Sequence, residues 1–170
     1  MGTDEIFDTV DESGRVTGQA TRGQVHGNPE LIHRSVHIHV FDSSGRLYLQ
    51  KRGLNKDVQP GRWDTSVGGH VDTGETPDSA AVRETHEELG IEGAILKFLY
   101  SYIWRTEIET ELVSTYGTLW DGAIKILASE LDDGRFWEPA EIESKLGSGK
   151  FTPNFEEEFS RLKEHMELPG

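Results

Sequence analysis

The strongest constraint on this chain lies between residues 68 and 91, where a glycine-rich stretch runs directly into an acidic helix. It reads Gly68-Gly69-His70-Val71-Asp72-Thr73-Gly74-Glu75, then Thr76-Pro77 and onward to Arg83-Glu84-Thr85-His86-Glu87-Glu88-Leu89-Gly90-Ile91. Thr76 suits the N-cap, Pro77 suits the first helical position, and Gly90 suits the left-handed residue that ends a helix. The pattern predicts a helix over Thr76 to Leu89. On it Glu84, Glu87 and Glu88 fall at i, i+3 and i+4, so the three carboxylates project from one face. Like charges so close destabilise a helix unless a cation neutralises them, and hard oxygen ligands select Mg²⁺, Mn²⁺ or Ca²⁺. A solvated acidic helix gives the same charge run, and the helix alone does not separate the two readings. Arg83 lies four residues before Glu87, within pairing reach. Val82, Thr85 and Leu89 are expected to form the seam that packs the helix down. Gly68, Gly69 and Gly74 permit a tight loop whose backbone can approach a metal or a phosphate.

Around this segment the polarity pattern reads mostly as strands. Ile6 to Val10 and Arg15 to Ala20 flank an Asp11-Glu12-Ser13-Gly14 turn, which predicts a hairpin. Val36, Ile38 and Val40 alternate with His37 and His39, predicting a half-buried strand over Ser35 to Phe41 whose other face is made polar by histidines. Arg46 to Lys51 pairs with it across a turn at Asp42 to Gly45, and a short strand follows at Trp63 to Val67. Further strands are expected at Ile95 to Trp104, at Leu112 to Trp120 and ending at Phe136-Trp137. A short helix over Ala140 to Leu146 precedes a last helix from Thr152 to about Met166, with Phe155, Phe159 and Leu162 on one side. This order predicts an α/β fold with a mixed sheet between helices, as a single domain over residues 1–170.

Charge narrows the chemistry. There are 17 basic and 31 acidic residues, a net charge of −14. Such a field repels a nucleic-acid backbone, and it repels small anions unless bound cations reverse it locally. A chain of this balance that handles phosphates therefore needs metal ions. With no cysteine there is no disulfide, no thiolate metal site and no cysteine nucleophile. No run of 18 apolar residues suggests a membrane helix, and Met1 to Glu5 lacks the features of a signal peptide, so a cytoplasmic address is expected.

The spacing across residues 69–91 carries more than the helix does. Gly69, five residues, Glu75, seven residues, then Arg83-Glu84-Thr85-His86-Glu87-Glu88-Leu89-Gly90-Ile91 resembles the Nudix box. Thr85, in a slot where the motif has an aliphatic residue, is the one departure. The resemblance implies an α/β/α sandwich with a mixed β-sheet and hydrolysis of a nucleoside diphosphate derivative or related organic diphosphate. It implies Glu84, Glu87 and Glu88 as catalytic metal ligands for Mg²⁺ or Mn²⁺, the Gly69 carbonyl as a further ligand, and Glu75 and Arg83 as supports. The expected chemistry is in-line attack of water on phosphorus. Which glutamate acts as general base stays open. The family also allows a homodimer, which no residue pattern here fixes.

Outside the box the chain resembles the isopentenyl-diphosphate isomerase branch of that superfamily. The resemblance rests on Val25-His26, Ile32-His33, Phe41-Asp42-Ser43-Ser44-Gly45-Arg46-Leu47, Gln50-Lys51-Arg52 and Pro60 to His70. By position it implies a second divalent metal held by His26, His33, His70, Glu109 and Glu111. For the three histidines a hydrogen-bonding role stays equally open. The isomerases also need a catalytic cysteine, and its place here is Gly68. Hydrolysis is therefore the expected reaction, with an isomerase-like enzyme or a non-catalytic nucleotide-binding module as alternatives. Lys51, Arg52 and Arg62, with Lys56, form a basic cluster near the glycine loop that could receive a diphosphate.

Overall fold

The computed structural model describes residues 5–55, 59–127 and 131–166. Its strands are β1 (Ile6–Val10), β2 (Val16–Thr21), β3 (Ile32–Phe41), β4 (Leu47–Arg52), β5 (Trp63–Asp64), β6 (Val67–His70), β7 (Lys97–Arg105), β8 (Thr110–Leu119) and β9 (Leu131–Trp137). Its helices are α1 (Arg22–Val25), α2 (Pro77–Leu89), α3 (Pro139–Ser144) and α4 (Pro153–Met166). Lys56, one member of the expected basic cluster, lies outside the described residues.

The central strand is β3. It pairs antiparallel with β1, β4 and β6, and parallel with β8 from Ile32↔Thr110 to Phe41↔Leu119, which makes the sheet mixed. Period-two alternation gives β3 two different faces. Val36, Ile38 and Val40 join a core with Val67, Val71, Ala80, Ala81 and Leu89, on the side covered by α2. Phe41 joins a second core with Leu47, Leu49, Trp63, Trp137, Phe155, Phe159 and Leu162, on the side covered by α4. Helices on both faces of a mixed sheet give the expected sandwich.

Four readings change. First, β3 starts at Ile32, because β8 pairs with it from Thr110 onward, and this draws His33 into the sheet. Second, Trp63 to Val67 is split: β5 pairs with β4, whereas β6 pairs with β3. Third, Val82 is exposed, and α2 packs instead through Ala80, Ala81, Thr85 and Leu89. Positions 81, 85 and 89 recur every four residues along one stripe. The buried Thr85 hydroxyl donates to the Ala81 carbonyl at 2.7 Å, so a polar side chain is tolerated there. Fourth, His37 and His39 do not form a simple polar face, because Glu158 on α4 ties both into an ionic cluster in which His39 is buried and His37 half-buried. The one-turn α1 was not expected. Its capping box of Thr21 and Gln24 was nonetheless legible as Thr-x-x-Gln.

Candidate functional site

Strands β3 and β4 meet in register only at Phe41↔Leu47 and then part. The gap between them opens a cleft of about 630 Å³ beside α2. Its walls carry Ser35 and His37 from β3, Gln50 and Arg52 from β4, Asp64 from β5, Gly68, Gly69 and His70 from β6, and Glu111 from β8. Glu84, Glu87 and Glu88 close it from the helix.

Local folding explains how those carboxylates are aimed. Thr76 caps α2 by accepting from the Ser79 amide, and Gly90 ends it at φ 66°, where a side chain would be strained. Asp8 ties down the glycine loop: it accepts from the Thr73 hydroxyl at 2.5 Å and the Gly74 amide at 3.1 Å, and pairs with Arg34 at 3.0 Å. Gly69 approaches α2 so closely that a Cβ on it would meet the Glu84 carboxylate and force that side chain away from the loop.

Arg83 links the loop to the ligands. Its guanidinium donates to both Glu75 oxygens at 2.9 Å, to Glu84 at 2.8 Å, to Glu87 at 3.2 Å and to the His70 carbonyl at 3.1 Å. That pairing lowers the pKa of Glu75 and raises that of Arg83. Glu88 is held by the Gln50 amide, which donates to it at 2.7 Å and also to the Ser66 carbonyl. Burial pushes the pKa of Glu84 up and that of Glu88 well above its ordinary value. Two carboxylates that resist ionisation, side by side on a cleft wall, suit a divalent cation that would stabilise their charged forms.

The histidines form a second group at the far end of β6. The donor atoms of His26, His33 and His70 lie within 4.8 Å of one another, and so do those of His33, Glu109 and Glu111. His26 Nε2 and His33 Nε2 stand 3.5 and 3.6 Å from the same Glu109 oxygen. His33 is wholly buried, yet neither ring nitrogen makes a hydrogen bond of good geometry among the described residues. Orphaned nitrogens of this kind are costly unless something coordinates them. Burial, reinforced by the neighbouring histidines, lowers the pKa of His33 to about 4 and that of His70 to about 3. Both rings are neutral near pH 7, the form that ligates a metal. Burial, with Glu109 beside it, raises Glu111.

The basic cluster is only partly assembled. Arg52 lines the cleft and pairs with Asp64 at 3.5 Å. Lys51 does not line it, because alternation along β4 sends Gln50 and Arg52 one way and Lys51 the other. Arg62 does not line it either and instead donates to the Phe151 carbonyl at 3.3 Å. Two contributors were missed from the sequence. Gln50 belongs to the Gln50-Lys51-Arg52 stretch of the isomerase resemblance, which assigns it no contact with Glu88. Glu158 was one of an acidic run, although it lies three residues after Phe155 and so shares the helix's apolar face.

Comparison with known proteins bears on the whole arrangement. Residues 31–155 match the model of the NUDIX domain. The chain is 36% identical to an uncharacterized Nudix hydrolase of Streptomyces coelicolor, over 94% of this chain and 89% of that protein. It is 42% identical to an isopentenyl-diphosphate Delta-isomerase of Streptomyces avermitilis, but over only 54% of this chain and 46% of that one. The crystal structure of DR0079 from Deinococcus radiodurans superposes with a TM-score of 0.80 at 25% identity, covering 92% of this chain and 98% of that one. With the domain matched over residues 31–155 and a relative 36% identical along most of both chains, the chain belongs to the Nudix hydrolase family.

Proposed function

We propose that this Nudix hydrolase cleaves a phosphoanhydride bond in a nucleoside diphosphate derivative or related organic diphosphate, using Mg²⁺ or Mn²⁺. The observation that carries the reading is the convergence of Glu84, Glu87 and Glu88 with Gly69, whose lack of a side chain leaves its backbone against the Glu84 carboxylate. Divalent metal bound there would neutralise phosphate oxygens and lower the pKa of the attacking water. The chain's own residues do the rest. Glu84, Glu87 and Glu88, with the Gly69 carbonyl, would hold the ion. Arg83 and Glu75 fix the loop and the carboxylates against each other, and Gln50 orients Glu88. Arg52, paired with Asp64, adds positive charge to the cleft wall.

The isomerase reading lacks its second acid–base group, since Gly68 has no side chain and the chain has no cysteine. A non-catalytic module would not need all three glutamates, and all three face the cleft. The test is a panel of nucleoside diphosphate sugars, dinucleotide cofactors and isoprenoid diphosphates, supplied first with Mg²⁺ and then with Mn²⁺. Phosphorus NMR should show metal-dependent cleavage between two phosphorus atoms of at least one of them. Double-bond isomerisation without phosphate release would overturn the reading.

A second divalent ion at His26, His33, His70, Glu109 and Glu111 is part of the proposal, supported by the buried His33 nitrogens, neither of which makes a hydrogen bond among the described residues, and by the neutral imidazoles. Crystals soaked in Mn²⁺ are expected to give an anomalous peak between His33 and His70, and His33→Ala should remove it while the α2 site stays loaded. A map with those rings apart and no peak would end the idea.

A further inference from the structure

His37 sits on the β3 wall of the cleft, outside the machinery assigned above, with its two nitrogens in different situations. Nδ1 lies 2.5 Å from Glu158. Nε2 makes no hydrogen bond among the described residues and stands 3.8 Å from where a side chain on Gly68 would begin. Glu158 has no freedom to turn away. It is wholly buried and accepts from Tyr100, Tyr102 and Thr115 while also pairing with His39, partners on three different strands. Burial alone would lower the pKa of His37, but the charge and hydrogen bond of Glu158 outweigh it and raise it to about 9. Glu111 on β8 and Asp64 on β5 add to the rise, and Thr115 on β8 is its parallel-strand neighbour. The arginines of the cleft are committed elsewhere: Arg22 pairs with Glu5, Arg52 with Asp64, and Arg83 with its four carboxylate neighbours.

We propose that His37 is a substrate-binding residue that donates from Nε2 to an anionic oxygen of the diphosphate substrate, with Glu158 as the positioning residue that fixes its ring. The assignment rests on the diphosphate reading above and deepens it. At the place where the isomerases have a reactive cysteine, this chain offers open backbone and a charged N–H beside it. That donor suits a phosphate oxygen and not an alkene carbon.

The probe is methylenediphosphonate with Mg²⁺, titrated calorimetrically into the full chain. His37→Asn keeps an amide N–H for Glu158 but leaves nothing at the Nε2 position. It should weaken binding by roughly 10- to 100-fold, the worth of one charge-assisted hydrogen bond. His37→Gln places a neutral N–H near Nε2 and should recover part of the loss. In the wild type, the His37 Nε2 resonance should shift when the probe is added and stay still with Mg²⁺ alone. A structural role would not produce that shift, and the measurement needs no variant to fold. Unchanged affinity in His37→Asn, or a motionless resonance while the probe binds, overturns the assignment and leaves the diphosphate reading standing. A wild type that ignores the probe with Mg²⁺ overturns both.

Discussion

Replacing Glu88 by Gln should lower kcat by roughly two to four orders of magnitude, the scale set by losing several kcal/mol of metal-borne charge stabilisation. Glu87→Gln should fall in the same range, yet the two variants should differ in stability in a way that identifies their roles. Without metal, Glu88 is a half-buried carboxylate that burial and the adjacent Glu84 both push toward its neutral form. Removing its charge relieves that strain, so Glu88→Gln should melt at or above the wild-type temperature in EDTA. The Gln amide can still meet Gln50, whose side chain donates to Glu88 in the native protein. Glu87 is exposed and pairs with Arg83 at 3.2 Å, a contact worth only a few tenths of a kcal/mol. Glu87→Gln should therefore leave the EDTA melting temperature nearly unmoved. Both variants should lose most of the extra stability that Mg²⁺ gives the wild type. Scanning calorimetry with and without Mg²⁺, beside steady-state kinetics, makes the comparison. Normal turnover in both variants would remove the glutamates from the mechanism.

That prediction needed little more than the sequence. The features of α2 are local: a Thr N-cap, a Pro at the first position, a Gly with positive φ, and carboxylates at i, i+3 and i+4. Each follows from helix geometry without reference to the rest of the chain. Arg83 and Glu75 were legible for the same reason, since loop and helix adjoin in sequence. The histidine–glutamate group joins residues from 26 to 111 and came from family spacing, because no local rule brings β3, β6 and β8 together. What stayed hidden was long-range. Val82 and Ala81 differ by one step around the helix, and only the position of the sheet decides which of them is buried. Lys51 was grouped with Arg52 by adjacency, although neighbours on a strand face opposite ways. His37 and His39 read only as the polar face of a half-buried strand, since alternation says nothing about what covers that face. The carboxylate that pairs with both lies more than a hundred residues away, on a helix whose apolar side is legible but whose acidic intruder is not.

That intruder is also where the largest stability effect is expected. Glu158→Leu should cost about 3–5 kcal/mol, the usual penalty for removing one member of a buried ionic cluster, and a large share of the total stability of a domain this size. Leucine is close to glutamate in size, so little of the cost arises from a cavity. It arises because two histidines, the Tyr100 and Tyr102 hydroxyls and the Thr115 hydroxyl lose a shared acceptor at once. The effect should depend on pH on both sides. Burial pushes Glu158 up, but His37 and His39 outweigh it and hold its pKa well below the ordinary value of 4.5. Its contribution is therefore present above pH 4.5 and lost as pH falls through the folded value. His37 moves the other way, from 6.5 up to about 9. Its contribution is full below 6.5 and disappears as pH rises through 9. The gap between wild type and Glu158→Leu should thus be widest between pH 4.5 and 6.5 and narrow steadily toward pH 9. Glu158→Gln keeps the size and one acceptor but no charge, so it should recover part of the stability without the pH dependence. Urea unfolding of the three proteins at pH 5.5, 7.5 and 9 measures all of this. A gap that stays constant across the series would mean that the cluster is held by hydrogen bonds alone and that His37 does not carry its charge in the folded protein.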